Sequence, residues 1–226
     1  MVSKIRNKLK GYIKYTLSKV KSINNYIYCL YLRIILKNFE FTIISNNCWG
    51  GGVYEDLNLM YRTPTVGLFF FTPCYIKFVK DLENNLKKEI NFTNKSKYVK
   101  ANEIQNQTPY PIGLIDDIEI HFLHYQSAED AYAKWERRKK RINYNNIFLV
   151  FSDVEDYNIQ DLLIYDQLPY KKVFFSSKQI PGIKSLIWLK KFESSGRIGD
   201  IYSNKWDYRR YFNISKWLNR GYNNKG

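Results

Sequence analysis

The chain has 226 residues and a net charge of +15. Its length and its content of 45% hydrophobic residues are enough for one large domain with a substantial core. Its three cysteines are widely spaced and form no CxxC pair, which argues against a disulfide framework and a structural zinc site and suits a reducing cytosol. The N-terminus lacks the layout of a signal peptide. Its longest apolar run, residues 26–36, contains Arg33 and is too short to span a bilayer.

Residues 1–37 form a basic arm with a helical hydrophobic period. Residues 1–39 contain nine basic residues and no acidic residue. Apolar residues recur at spacings of three and four from Ile5 to Ile34, which predicts one or two amphipathic helices. Two interpretations stay open: a helix that packs on the domain with its lysines in solvent, or a helix that lies on an anionic membrane surface at the inner face of the plasma membrane. Nucleic acid is the least favoured partner.

The stretch from Phe39 to Tyr54 predicts a strand, a loop and a helix. An apolar run at residues 41–44 is followed by small polar residues, Cys48 and three glycines. In α/β folds, ligands bind beyond the carboxyl ends of strands, where helix N-termini present their N–H groups. We therefore expect the functional site at Cys48, with the glycines allowing close approach of the backbone to a ligand.

The rest of the chain alternates between predicted strands and helices. Residues 66–71 are typical of a strand buried on both faces, and Thr72 is expected to cap a helix that continues to about Ile90. Residues 91–108 are expected to form a loop with a short strand near Tyr98. Ser127 and Asp130 have the spacing of a capping box.

The C-terminal half continues the alternation. Besides a charged helix at 128–142, helices are predicted at 157–167 and within 205–218. Strands are predicted at 146–151, 173–177 and 185–189. This order predicts a single α/β domain over residues 38–226 with a mainly parallel or mixed sheet.

A cysteine nucleophile needs a base, and the chain has only two histidines, His121 and His124. On a strand, His121 would share a face with Glu119, whereas His124 would join an apolar face, as a buried core histidine does. His121 is thus the preferred base. The alternative for Cys48 is a small buried residue at a turn.

Three acidic residues adjoin predicted strands: Asp116, Asp117 and Asp153. Such acids can orient a histidine, act as a base or hold a metal–diphosphate, and the alternative is loop capping. Two histidines at a spacing of three are a weak metal signal, so we expect no metal site. The charged helix is either a solvated face or an anion-facing patch.

Three segments, at 45–82, 110–143 and within 151–178, resemble a bacterial family of exopolysaccharide or capsular polysaccharide biosynthesis proteins. The match covers residues 38–218 in order. The resemblance implies a three-layer α/β/α domain and a genetic setting among glycan-assembly enzymes. The recognisable positions are Asn46, Asn47, Cys48, Trp49, Gly50, Gly51, Asp116, Asp117, Glu119, His121, His124 and Asp153.

These observations predict a transferase of surface-polysaccharide assembly that acts on a lipid-linked glycan. In an acyl-type transfer, slightly favoured, Cys48 is the nucleophile, either histidine the base, and Asp116 or Asp117 the orienting acid. In a glycosyl-type or phosphoryl-type transfer, with a nucleotide-sugar as one donor, Asp117 or Asp153 is the base and a basic side chain such as Arg62 or Arg137 neutralises phosphate.

The expected ligand contacts complete the prediction. They are Asn46, Asn47, Trp49, Gly50, Gly51, Glu119 and Asp153. No particular cofactor is indicated. The alternative from another class is a non-catalytic glycan-binding or assembly protein at the inner membrane surface.

Overall fold

The computed structural model describes residues 2–199, 201–202 and 205–220, with side chains from residue 11 onward. The arm's first four basic side chains and residues 221–226 of the predicted domain lie outside the described part. In chain order the elements are α1 (Val2–Ile35), β1 (Thr42–Ser45), α2 (Trp49–Leu57), α3 (Thr72–Lys80), α4 (Leu82–Lys87), β2 (Asn91–Thr93), α5 (Val99–Gln107), β3 (Ile112–Ile115), β4 (Ile118–His121), α6 (Ala128–Lys139), β5 (Ile147–Ser152), α7 (Ile159–Gln167), β6 (Lys171–Ser176), β7 (Leu186–Trp188), a 3₁₀ helix (Lys190–Ser195), α8 (Lys205–Arg209) and α9 (Ile214–Asn219).

Four parallel strands in the order β1-β5-β6-β7 form the main sheet. Strands β1 and β5 are buried along their whole length, as expected for parallel strands covered on both faces. A second, antiparallel sheet has the order β2-β3-β4. The prediction of an α/β fold with a mixed arrangement of strands is confirmed.

The main sheet separates two hydrophobic cores because alternate residues of a strand point to opposite faces. Ile44 and Leu149 belong to one core, which helices α3, α6 and α7 cover. Ile43 and Phe148 belong to the other, which α1, α2, α8 and α9 cover. Helices on both faces give the three layers that the resemblance implied.

The segment at 66–71 connects the two sheets but is not a strand. Gly67 has a φ of +67°, which breaks an extended run. Phe69 alone pairs with β4, through hydrogen bonds of 2.8 and 2.9 Å with His121. The next N–H, of Phe70, donates to the carbonyl of Asn46 at the end of β1. The predicted buried strand is therefore wrong, although the segment lies buried between the sheets.

Two other predictions need correction. The predicted helix 72–90 is interrupted at Asp81, whose backbone (φ −130°, ψ 51°) is not helical, and Thr72 is its first residue, not its cap. Tyr98 precedes helix α5 instead of lying on a strand. Only Ala101 of α5 is buried, so the sequence carries no apolar period there. By contrast, the capping role of Ser127 is confirmed: its Oγ accepts the N–H of Asp130 at 3.2 Å.

Residues 2–35 of the basic arm form one continuous helix, and its last turns pack on the domain. Cys29 and Leu32 are buried, Leu32 belongs to the core that α2 covers, and Arg33 Nε donates to the carbonyl of Asp56. The end of the predicted arm is thus part of the core, whereas residues 11–24 are exposed. In the described part of the chain, no helix combines the length and hydropathy that crossing a bilayer requires.

Candidate functional site

Two adjoining cavities form a cleft beside the N-terminal end of α2. One has a volume of about 330 Å³ and the other about 560 Å³. Both are lined by Cys48, His124 and Tyr202. The smaller cavity is also lined by Gly51, Gly52, Glu55, Val66, Gly67, Tyr125, Lys134 and Arg138. The larger is also lined by Asn47, Leu68, Phe69, Leu123, Val154 and Gly199. One lobe is therefore charged and the other mainly apolar, and they meet at a thiol and an imidazole.

Cys48 lies between the end of β1 and the first residue of α2. It is half-buried, and its Sγ lies 3.8 Å from the carbonyl oxygen of Leu68. The positive end of a helix favours a thiolate. However, the N–H of Trp49 donates to Asn47 Oδ1 and that of Gly50 to Ser45 Oγ. These two N–H groups are engaged in capping the helix and are not presented to a ligand, contrary to the expectation from the sequence.

The three glycines lie inside helix α2 and not in a ligand-binding loop. A Cβ at Gly50 would lie 2.7 Å from Ser45 Oγ, and one at Gly52 would lie 1.9 Å from the Tyr202 ring. The glycines thus allow β1 and Tyr202 to approach the helix. Gly50, a predicted ligand contact, lines neither lobe of the cleft, whereas Gly51 lines the charged lobe.

His124 occupies the turn after β4 and is exposed. The backbone N–H of His124 donates to the carbonyl of Gly67 at 3.1 Å. A Cβ at Gly67 would lie 3.2 Å from His124 Cβ, so a glycine there brings the two turns together. The interpretation of His124 as a core histidine is wrong because the strand ends three residues earlier.

His121, the base preferred from the sequence, is the buried histidine. Its Nε2 lies 3.3 Å from Glu119 Oε2, and its Nδ1 lies 3.3 Å from the Tyr110 hydroxyl. Burial lowers the pKa of His121 to about 4, against the opposing effect of Glu119. Glu119 itself accepts hydrogen bonds from Ser96 Oγ and the N–H of Lys97. This pair is an internal link between β4 and the 96–98 turn, and it lines neither lobe of the cleft.

Acidification is expected to destabilise the protein through His121. The unfolded chain protonates near the ordinary histidine pKa of 6.5, whereas the folded chain protonates this ring only near pH 4. The unfolded state therefore binds more protons in this window, and the free energy of unfolding should fall by about 1–2 kcal/mol from pH 7 to pH 5. Urea unfolding of His121→Phe should lack this decrease, while His124→Gln should retain it. Equal pH dependence in both variants would contradict the assignment.

Asp116 and Asp117 form the exposed tight turn of the β3–β4 hairpin. Asp116 has a φ of 50° and pairs with Lys88 at 2.7 Å, while Asp117 pairs with Lys77. The Lys77 ammonium lowers the pKa of Asp117. Neither acid lines the cleft, so the predicted triad is not assembled.

Asp153 is a buried link between the ends of β5 and β6. Its carboxylate accepts hydrogen bonds from both the N–H and the hydroxyl of Ser177, from Ser176 Oγ and from the N–H of Ile198, at 2.7 to 3.1 Å. Burial raises its pKa and these hydrogen bonds oppose the effect. A carboxylate with this many donors is held in place as a structural acceptor, which is at odds with the predicted role as a base.

Two other predicted ligand contacts are also structural. The amide of Asn46 bonds to both the N–H and the carbonyl of Ser152, at 3.1 and 3.0 Å, and so joins β1 to β5. Trp49 is fully buried within an aromatic cluster that includes Phe175 and Trp217. Asn47 remains at the cleft, where it both caps α2 and lines the apolar lobe.

The cationic wall of the cleft comes from the charged helix, for which an anion-facing patch was one of the two interpretations. Lys134 and Arg138, four residues apart on α6, line the charged lobe. The Arg138 guanidinium is buried, donates to the Tyr125 hydroxyl and lies 4.9 Å from the centre of the Tyr61 ring. The sequence signal for this wall is the i, i+4 spacing of Lys134 and Arg138 within the charged run, which places both on one face of the helix. Arg62, suggested for this role, instead pairs with Glu40 on the surface.

One carboxylate faces the cleft from α2. Glu55 accepts hydrogen bonds from the hydroxyls of Tyr61, at 2.9 Å, and Tyr202, at 3.2 Å. Among the described residues that line the two lobes, it is the sole acid. No group of three or more His, Cys, Asp or Glu side chains within residues 2–199, 201–202 and 205–220 is arranged to hold a metal ion.

The fold and the cleft together define an α/β protein with a thiol and an imidazole at the carboxyl end of a parallel strand. The chain belongs to the family described as Domain of unknown function (DUF1919), whose model matches residues 19–219. It is also similar to a protein of Haemophilus influenzae described as uncharacterized. The two are 32% identical over 189 residues, which cover 81% of this chain and 86% of the relative. These descriptions state no activity, so the glycan setting stays a prediction.

Proposed function

We propose that the protein is a thiol-dependent acyltransferase in which Cys48 is the nucleophile and His124 the base. The observation that carries this proposal is that both side chains line both lobes of one cleft. A nucleophile and a base need a shared site next to the reacting carbonyl. Cys48 has such a site with His124 and not with the buried His121.

The reaction has two balanced steps. His124 accepts the proton of the Cys48 thiol, the sulfur bonds to the acyl carbon, and the leaving group departs with that proton. The acceptor hydroxyl then attacks the Cys48 thioester, His124 takes the hydroxyl proton, and the proton returns to the sulfur as the carbon–sulfur bond breaks. Splitting one transfer into two substitutions is the general advantage of a covalent intermediate.

The two lobes differ as the two ends of an acyl donor differ. Leu68, Phe69 and Leu123 line the apolar lobe, which suits a hydrocarbon chain. Lys134 and Arg138 line the charged lobe, which suits the phosphate groups of an activated donor. The acyl carbon would lie where the lobes meet, at Cys48.

The setting of this chemistry is proposed on other grounds. The sequence resemblance supports a glycan hydroxyl as the acceptor, in surface-polysaccharide biosynthesis. The basic arm supports a cytoplasmic location at the inner face of the plasma membrane. Both belong to the proposal and are separable from the thiol chemistry.

Acylation by p-nitrophenyl octanoate tests the chemistry without knowledge of the natural donor. Wild-type protein should release a burst of nitrophenol and gain one octanoyl group, which peptide mass spectrometry places on Cys48. Cys48→Ala should lose the adduct, and His124→Gln should slow its formation on the order of 100-fold. Asp117→Asn is the control, since that acid is exposed and lies outside the cleft. An adduct that survives in Cys48→Ala would contradict the proposal.

A further inference from the structure

Residues 11–24 of α1 form a long helical segment that the domain does not cover. All of them are exposed, and burial starts only near Cys29. The segment contains Gly11 and many β-branched, aromatic and small polar residues, which are poor helix formers. An isolated helix of such composition is marginal in water. A surface that supports it is therefore needed.

One face of α1 is apolar and turned away from the domain. Its members, exposed by 39–81%, are Ile13, Leu17, Val20, Ile23, Ile27, Leu30 and Ile34. At 100° per residue they occupy an arc of about 140°. Cys29 and Leu32, which are buried, lie on the opposite side of the helix, and Leu32 is part of the domain's core. The domain therefore leaves this face open along its whole length.

Charge and aromatic residues surround the apolar face. Lys14 and Lys21 lie on the polar side of the helix and Lys19 at the edge of the arc. From the domain, Trp206 is 36% exposed and lies edge-on to Tyr28, with ring centres 6.0 Å apart. Tryptophan and tyrosine beside an apolar stripe, with lysines behind it, are typical of a helix in the membrane interface.

A bilayer suits this face better than a second copy of the chain does. Nine basic residues without one acid in residues 1–39 repel a second arm but attract anionic lipid. The arc of about 140° is also wider than the two-position seam of a coiled coil.

We propose that the apolar face of α1, with Trp206 at its edge, docks on an anionic bilayer surface. The helix lies in the plane of the interface, and the domain sits on the aqueous side because it packs on the opposite face. This inference deepens the membrane location proposed for the protein and is independent of the chemistry at Cys48.

Vesicle sedimentation of the full chain tests the docking surface. Wild-type protein should sediment with phosphatidylcholine vesicles that contain about one third phosphatidylglycerol, and much less with phosphatidylcholine alone. The double variant Ile23→Asn/Ile27→Asn should bind about tenfold more weakly. The matched control, Ser18→Asn/Ser22→Asn, places the same side chain on the polar side of the preceding turns and should bind within about twofold of wild type.

Three results would overturn the inference. They are no sedimentation of wild-type protein, equal binding by the Ile23→Asn/Ile27→Asn variant, and a lipid-free dimer in light scattering that this variant dissociates. The last result would assign the face to a second copy. Cys48→Ala should bind vesicles as wild type does, so failure of the thiol chemistry and failure of docking are distinguishable. Far-UV circular dichroism at matched concentration checks that each variant is folded.

Discussion

Iodoacetamide is expected to alkylate Cys48 at least about tenfold faster than Cys29 or Cys74, because only the Cys48 thiol reaches the cleft. Cys29 and Cys74 are 6% and 1% exposed. Burial raises the pKa of Cys29, and the Asp56 carboxylate adds to that effect. Cys74 is further engaged, since its sulfur accepts the N–H of Glu119 at 3.2 Å. Alkylation of either buried thiol therefore requires local opening of the core.

Variants of the cleft distinguish activation of the Cys48 thiol by a base from simple exposure of its sulfur. His124→Gln removes a base from the cleft without changing exposure of the sulfur, so alkylation of Cys48 should slow while its final extent is unchanged. Asp117→Asn should leave the rate unchanged. Peptide mass spectrometry over time at pH 7 gives the alkylation rates of Cys29, Cys48 and Cys74 separately. Equal rates for the three cysteines would mean that the reagent reacts with the unfolded chain. Cys48 would then be no more reactive than a core thiol.

The layers of the fold were predictable because their signals are local. The apolar runs of β1 and β5 are continuous because both faces of the sheet are covered. The hydroxyl of Ser127 caps α6 within four residues of sequence. Such features depend on neighbouring residues alone.

The base that we propose for Cys48 was not predictable in the same way. His124 reaches the cleft because β4 ends at His121, and that end is set by pairing with β3 and with Phe69. These contacts join residues far apart in sequence. The hydrophobic periodicity predicted a strand that continues past His121 to His124. The prediction therefore placed His124 in the core, whereas His121 is the buried histidine.

The glycines show how packing overrides propensity. Each glycine inside a helix costs about 1 kcal/mol relative to alanine, so three in succession indicate a loop. In the structure, β1 and Tyr202 approach so closely that a Cβ at Gly50 or Gly52 would clash. The same residue type thus has a role in helix packing that the sequence pattern alone does not distinguish from ligand binding.

Replacement of Asp56 by alanine is expected to cost about 3–5 kcal/mol in the free energy of unfolding, the typical loss when one partner of a buried ion pair is removed. Asp56 is 7% exposed, and its two oxygens bind Lys205 at 2.8 Å and Arg209 at 2.9 Å. Arg209, with a side chain only 3% exposed, also donates to Asn25 on α1. The carboxylate therefore joins α2 to α8, and Arg209 extends the link to α1.

The surface pair of Glu40 and Arg62 is the matched control. Its side chains are 71% and 38% exposed at a similar distance of 3.2 Å, so Glu40→Ala should cost less than about 1 kcal/mol in urea unfolding. Comparable losses in the two variants would show that Asp56 is not desolvated in solution.

A double variant can identify why Asp56→Ala lowers the free energy of unfolding. If the loss in Asp56→Ala comes from a buried cation left without its carboxylate, removing that cation should restore stability, because an apolar pair avoids the desolvation penalty. The double variant Asp56→Ala/Arg209→Met should therefore be more stable than Asp56→Ala alone. If the double variant is instead less stable, the packing of Arg209 on the Tyr28 ring, 3.9 Å from its centre, contributes more than its charge costs. That result would identify Arg209 mainly as the contact that holds α1 on the domain.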